Sequence, residues 1–170
     1  VTVYGQTHKH VTEEYHETFI APKAKILCID DNEMNISVVK NLLKATQVQI
    51  TTGISGYQCL DYMKKEHYDL IFLDQMMPEI DGVETLKRSR SMSMNLSKNS
   101  PIVMLTANAI SGMKEQFLAA GFDDYLSKPV KGEQLEHMLQ KYLPKELVQI
   151  QKDVVKPKQK TWADVQQELD

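Results

Sequence analysis

At 170 residues the chain has room for one ordinary domain with extensions and too little for two large ones. It is 42% hydrophobic and 25% charged with a net charge of -3, and its lysines and arginines are scattered, so nothing in bulk favours nucleic acid. No apolar run approaches the roughly 20 residues of a membrane-spanning helix, and no charged-then-apolar leader opens the chain.

The first 24 residues are polar. His8, His10 and His16 with Glu13, Glu14 and Glu17 are metal-ligand types, but nothing around them supplies a scaffold for ligand geometry, and no metal site is expected there. Between Lys25 and Leu143 short apolar runs alternate with helical patterns. Ile26-Leu27-Cys28-Ile29, Leu70-Ile71-Phe72-Leu73 and Ile102-Val103-Met104-Leu105 are continuously apolar, as strands covered on both faces of a parallel sheet must be. Val48-Gln49-Ile50-Thr51 alternates and the run around Tyr125 and Leu126 is short, which fits the two sheet margins.

Helical stripes fill the intervals: Asn35, Val38, Val39, Leu42 and Leu43; Gly56, Cys59, Leu60 and Met63; Ile110, Met113, Phe117 and Ala120; Leu135, Met138, Leu139 and Tyr142. Asp81 with Glu84 predicts a capping box, Asn108 a further cap, and Gly121 a helix end. Cys28 and Cys59 fall within these core patterns with no second thiol near either. They read as buried, reduced cysteines of a cytoplasmic protein rather than a disulfide or zinc framework. Past Leu143, Trp162, Val165 and Leu169 recur at helical spacing behind Thr161, predicting a short amphipathic helix over 161–169 in an extension that spans 144–170.

Five strand-helix units predict an α/β fold: a doubly wound parallel sheet with right-handed crossovers and helices on both faces. Ligands bind such sheets beyond the carboxyl ends of the strands. Asp30 and Asp31 follow the first strand and Asp74 closes the third. In a flavodoxin-like order of 2-1-3-4-5 those strands are neighbours, so three carboxylates converge. Like charges so close resist full ionisation, and a hard divalent cation such as magnesium suits the cluster. Lys128 after the fifth strand and Thr106 after the fourth reach the same edge. One acid after a strand is ordinarily a cap or a solvated loop residue; five such residues at four strand ends make a site.

The residues Asp30-Asp31-Asn32, Leu73-Asp74-Gln75-Met76-Met77-Pro78-Glu79-Ile80-Asp81-Gly82, Leu105-Thr106-Ala107-Asn108-Ala109 and Tyr125-Leu126-Ser127-Lys128-Pro129 resemble the receiver domains of two-component response regulators, over Ala24 to about Leu143. The resemblance implies a CheY-like fold in which Asp74 is the phosphoacceptor and Asp31 a magnesium ligand. Asp30 would be an acidic partner of the metal acting largely through water, and the carbonyl of Met76 a further ligand to Mg2+ or Mn2+. It also implies that Thr106 and Lys128 hold phosphoryl oxygens, that a cis Lys128-Pro129 bond aims the lysine inward, and that Tyr125 is an aromatic switch turning inward as Thr106 moves. Such a domain catalyses its own aspartyl phosphorylation and dephosphorylation.

Asp31-Asn32-Glu33-Met34-Asn35 and the run from Leu105 are similar to receivers inside hybrid sensor histidine kinases. Residues 1–24, particularly Tyr15-His16-Glu17-Thr18-Phe19 leading to Ala21-Pro22, resemble the linker after a kinase domain. The implied partners are a histidine kinase domain of the same polypeptide and a histidine phosphotransfer protein or domain. No nucleic acid is expected as a partner, since the tail after Leu143 has no basic helix pair. Nor is membrane contact by this segment, although the parent protein could be membrane-anchored. Two rivals are a receiver-fold interaction module that takes no phosphate, which the complete acidic set opposes, and a haloacid-dehalogenase-like phosphatase, whose Asp-x-Asp pattern the adjacent Asp30-Asp31 pair departs from. No ATP-binding signature is present, so any kinase activity belongs to other sequence.

Overall fold

A computed structural model describes residues 18–107 and 112–151. The segment rich in histidine and glutamate up to Glu17, the positions of Asn108, Ala109 and Ile110, and the 161–169 pattern lie outside the described residues. Backbone contacts divide the chain into a unit of residues 20–149 and a second formed by 1–19 with 150–170.

In chain order the elements are β1 (Thr18–Ile20), β2 (Lys25–Ile29), α1 (Glu33–Leu43), β3 (Gln49–Gly53), α2 (Gly56–Lys65), β4 (Leu70–Asp74), α3 (Gly82–Ser91), β5 (Ile102–Thr106), α4 (Met113–Ala120), β6 (Asp124–Ser127), α5 (Gly132–Tyr142) and β7 (Gln149–Gln151). The five strands β2 to β6 are parallel in the order β3-β2-β4-β5-β6, which is the expected 2-1-3-4-5 counted within the larger unit. The alternating segment and the short run take the two edges, as predicted. Side chains alternate across the central strands. Leu27, Ile29, Ile71, Leu73, Ile102 and Met104 join a core with Cys59 and Met63 of α2, Leu86 of α3 and Phe117 of α4. The opposite parity, Ile26, Cys28, Leu70, Phe72, Val103 and Leu105, is buried as well. The helices α1 and α5 pack on each other, as do α2 and α3. Burial of both parities is why these strands read as unbroken apolar runs.

One helix face departs from expectation. The buried side of α1 is Ile36, Val39 and Leu43, whereas Val38 is 40% exposed and Asn35 and Leu42 only partly covered. Apolar residues occupy two adjacent helical registers there, and the one turned to the core is the i, i+3, i+7 set that includes Ile36. The α2 stripe is buried throughout, and Leu135, Met138 and Leu139 bury α5.

The caps fix where helices begin. Asp81 Oδ1 accepts the Glu84 N–H at 2.8 Å, the first half of the predicted capping box, but the Glu84 carboxylate meets Arg88 Nε at 3.1 Å instead of returning to Asp81. Asn32 and Ser55 cap α1 and α2 in the same manner. Gly121 ends α4 at φ 109°, a left-handed conformation that glycine adopts without a Cβ clash. Gly82 opens α3 against the end of β4, and a Cβ there would lie 2.5 Å from the backbone oxygen of Asp74. We therefore expect Gly82→Ala to push that backbone away. The cost should be about 1–3 kcal/mol in chemical denaturation, as overpacking does, with the carboxyl end of β4 displaced.

The larger unit is wider than the 25–143 span. Ala21 and Ala24 are fully buried, the Ala21 N–H donates to the Thr46 carbonyl at 2.7 Å, and Gln49 Nε2 donates to the Pro22 carbonyl at 2.9 Å. The strands β1 and β7 form a separate two-stranded sheet. No local pattern predicts a strand in either tail, because three residues carry no readable alternation and the partners stand 133 residues apart where Thr18 Oγ1 donates to the Gln151 carbonyl. Cys28 and Cys59 are buried free thiols, as expected. Burial pushes the pKa of each up to about 12, which leaves them protonated and inert. Among the described residues no helix is long and apolar enough to cross a membrane.

Candidate phosphoryl-transfer site

Strand register brings the acids together. Ile29 pairs with Leu73 between β2 and β4, so Asp30 and Asp74, one residue on in each case, emerge side by side at the carboxyl edge. Asp30, Asp31 and Asp74 each offer a carboxylate oxygen within 4.8 Å of the others. Asp30 is 1% and Asp74 3% exposed, while Asp31 faces solvent. The turn into α1 holds Asp30 in place: its Oδ1 accepts the Asn32 N–H at 2.9 Å and lies 3.5 Å from Asn35 Nδ2.

Lys128 follows β6, and its Nζ stands 2.8 Å from Asp74 Oδ1 and 2.9 Å from Asp30 Oδ2. The Lys128-Pro129 peptide is cis, as the resemblance implied. Among the described residues this is the one ammonium paired with either buried acid, so three carboxylates face one cation. Burial lifts the Asp74 pKa from 3.8 to about 6; the Lys128 ammonium counteracts this, and the Asp30 charge adds to it. Burial alone would lower the Lys128 pKa, but the hydrogen bond to Asp74 and the close negative charge of Asp30 outweigh it and the pKa ends up raised. Lysine is thus held charged between two buried acids, of which Asp74 resists ionisation.

The donor set fits a hard divalent cation: carboxylate oxygens only, one exposed side, and an excess of negative charge. Asp30 Oδ2 is buried and accepts no well-aligned hydrogen bond, although the ammonium is close.

Thr106, at the end of β5, is fully buried, and its hydroxyl donates to Gln75 Oε1 at 2.5 Å. Gln75 lies inside the receiver-like run that begins at Leu73, yet sequence reasoning assigns it no role. The available signal is an uncharged polar side chain between Asp74 and Met76, on the strand end next to that of Thr106. Met76 turns its side chain to solvent, 69% exposed. Tyr125, on β6, is not at the acids: its ring packs against Phe117 of α4, centroids 6.3 Å apart. Asp30, Asp31, Asp74 and Lys128 therefore come together directly, Thr106 is linked to them through the residue beside Asp74, and Tyr125 stands apart on the neighbouring strand.

Residues 26–140 match the family model of the response regulator receiver domain. The chain belongs to that family. This receiver domain is 36% identical over 151 residues to a probable histidine kinase 1 of Oryza sativa subsp. indica, an alignment that takes in 72% of this chain and 16% of the rice protein. The chain thus spans under a fifth of that relative. Among solved structures, it is similar to the receiver domain of a sensor histidine kinase from Pseudomonas aeruginosa that has a magnesium ion coordinated in its active-site cleft. The two share 34% identity at a TM-score of 0.63, over 70% of this chain and 96% of that one. A second is a Saccharomyces cerevisiae response regulator's receiver domain, solved together with a histidine phosphotransfer signaling protein, at 25% identity and a TM-score of 0.66 over 75% and 94%. These likenesses make the chain a receiver domain of two-component signalling, with the five-stranded CheY-like fold expected of one.

Proposed function

We propose that Asp74 of this receiver takes a phosphoryl group from a phosphohistidine donor. The observation that carries this is the Lys128 ammonium set between two buried carboxylates, Asp30 and Asp74, with a third, Asp31, opening to solvent beside them. Asp74 is the acid that lies at a strand end, buried yet ionised above about pH 6. A carboxylate oxygen of Asp74 attacks phosphorus, the new P–O bond forms as the donor's P–N bond breaks, and the product is an acyl phosphate.

Such a transfer asks little of the protein beyond in-line positioning and charge neutralisation. Lys128 faces the charge on the phosphoryl oxygens. Asp30, Asp31, Asp74 and the carbonyl of Met76 are the groups that would hold a magnesium ion, which when bound offsets the repulsion between Asp74 and the incoming phosphoryl group. Thr106 moves to donate to a phosphoryl oxygen, and Tyr125 turns with it, so that the modification is read at the surface of α4, β6 and α5. The magnesium-bearing Pseudomonas receiver supports the metal, and the yeast complex, whose receiver belongs to the response regulator downstream of the phosphotransfer protein, supports a phosphotransfer protein as a partner. A histidine kinase domain of the same polypeptide is the proposed donor, in keeping with the rice relative and with the character of residues 1–24.

The test is labelling with acetyl phosphate. We expect magnesium-dependent incorporation of no more than one acid-labile phosphate per chain, and none in Asp74→Asn. Label retained by that variant would disprove the acceptor. Repeated turnover of an organic phosphate monoester would favour a hydrolase instead.

A further inference from the structure

The contact between Gln75 and Thr106 is not needed to bind metal or phosphate, yet it is well built. Gln75 is tied down on both sides of its peptide: its N–H donates to the Leu105 carbonyl at 2.9 Å, and its carbonyl accepts the Gly82 N–H at 2.9 Å. Its side chain is thereby held over the end of β5, where Oε1 accepts the Thr106 hydroxyl at 2.5 Å. Thr106 is fully buried, and its backbone is locked into the sheet, with its carbonyl accepting the Lys128 N–H at 2.8 Å.

A threonine hydroxyl has one proton to donate. While that proton is on Gln75 Oε1 it is not available to an oxygen on the neighbouring Asp74. We propose that Gln75 is a positioning residue, a latch that holds the Thr106 hydroxyl in the resting receiver and sets how much phosphoryl binding must supply before Thr106 turns. This rests on the reading of Asp74 as acceptor and adds to it an element of control beside the site.

Occupancy of the phosphorylated state is then a competition between two acceptors for one hydroxyl. Removing the carboxamide acceptor destabilises only the resting arrangement. The metal ligands proposed above do not include Gln75, so magnesium affinity is not expected to change.

Beryllofluoride with magnesium serves as the phosphoryl mimic, titrated into the whole chain. We expect Gln75→Leu, and independently Gln75→Met, to bind beryllofluoride about fivefold more tightly than the parent, the Boltzmann weight of one ordinary hydrogen bond. Magnesium alone should bind each with unchanged affinity, which also shows that the site is folded. In a Thr106→Ala background the same substitutions should have no effect, because no hydroxyl remains to be latched. Equal gains with and without Thr106, or no gain from either Gln75 variant while magnesium still binds, would overturn the latch. Failure of the parent chain itself to bind beryllofluoride at all would instead overturn the acceptor reading, and the latch with it.

Discussion

Asp74→Asn is expected to make the metal-free receiver more stable at pH 7 while leaving it unable to take phosphate. Burial, reinforced by Asp30 and only partly offset by Lys128, puts the Asp74 pKa at about 6 in the folded protein against 3.8 for a free side chain. Between those values the folded state binds more protons than the unfolded one, so stability falls as pH rises through the window. Below 3.8 the favourable contribution is fully present; above about 6 it is gone. A tenfold change in proton affinity is worth about 1.4 kcal/mol, so holding Asp74 ionised costs on the order of 2–3 kcal/mol at neutral pH. Asparagine carries no charge and escapes most of that cost. Urea denaturation in chelator from about pH 4 to about pH 7.5 should show the two proteins diverging as pH rises, with the asparagine variant above. Parallel curves would mean that Asp74 is not strained by its ionisation. Magnesium should stabilise the parent chain at pH 7, lose that effect as Asp74 protonates below about 6, and do much less for the variant.

Removing Lys128 should act in the opposite direction and with comparable size. In Lys128→Met the two buried carboxylates lose their shared ammonium, and breaking a buried ion pair from one side typically costs about 3–5 kcal/mol. Here protonation offers relief, so the loss should be largest near neutral pH and shrink as the pH falls and Asp74 takes up a proton. Combining it with Asp74→Asn should recover part of the loss, since only Asp30 then remains unpaired. Acetyl phosphate labelling of the single variant should slow at least about tenfold, the effect expected of losing one preorganised charge. A Lys128→Met protein as stable as its parent and labelled at the parent's rate would show that the ammonium has neither role.

Both expectations start from residues that can be picked out before any coordinates, and the reason is topological. A doubly wound parallel sheet carries all of its strand ends to one edge, so a residue's place just after a strand already specifies where in space it will be. Asp30, Asp31, Asp74, Thr106 and Lys128 are legible for that reason, and the fold follows from unbroken apolar runs separated by helical stripes. Features that depend on the rotation or reach of one side chain are less legible. The stripe on α1 can be drawn through Val38 or through Ile36, and periodicity does not distinguish two adjacent apolar registers. The sheet and α5 chose Ile36. The acceptor half of the Asp81 box formed, but Arg88, one turn further along α3, took the Glu84 carboxylate.

The sequence by itself determined the order of the five strand-helix units and the types of group gathered at the carboxyl edge of their sheet, because each is a consequence of local pattern repeated along the chain. Only the tertiary structure decided that one lysine is shared between Asp30 and Asp74, that Gln75 holds Thr106, and that Thr18–Ile20 pairs with Gln149–Gln151. Each of those joins side chains or strands far apart in sequence, and distances of a few ångströms between such groups are set by packing, which no local pattern records.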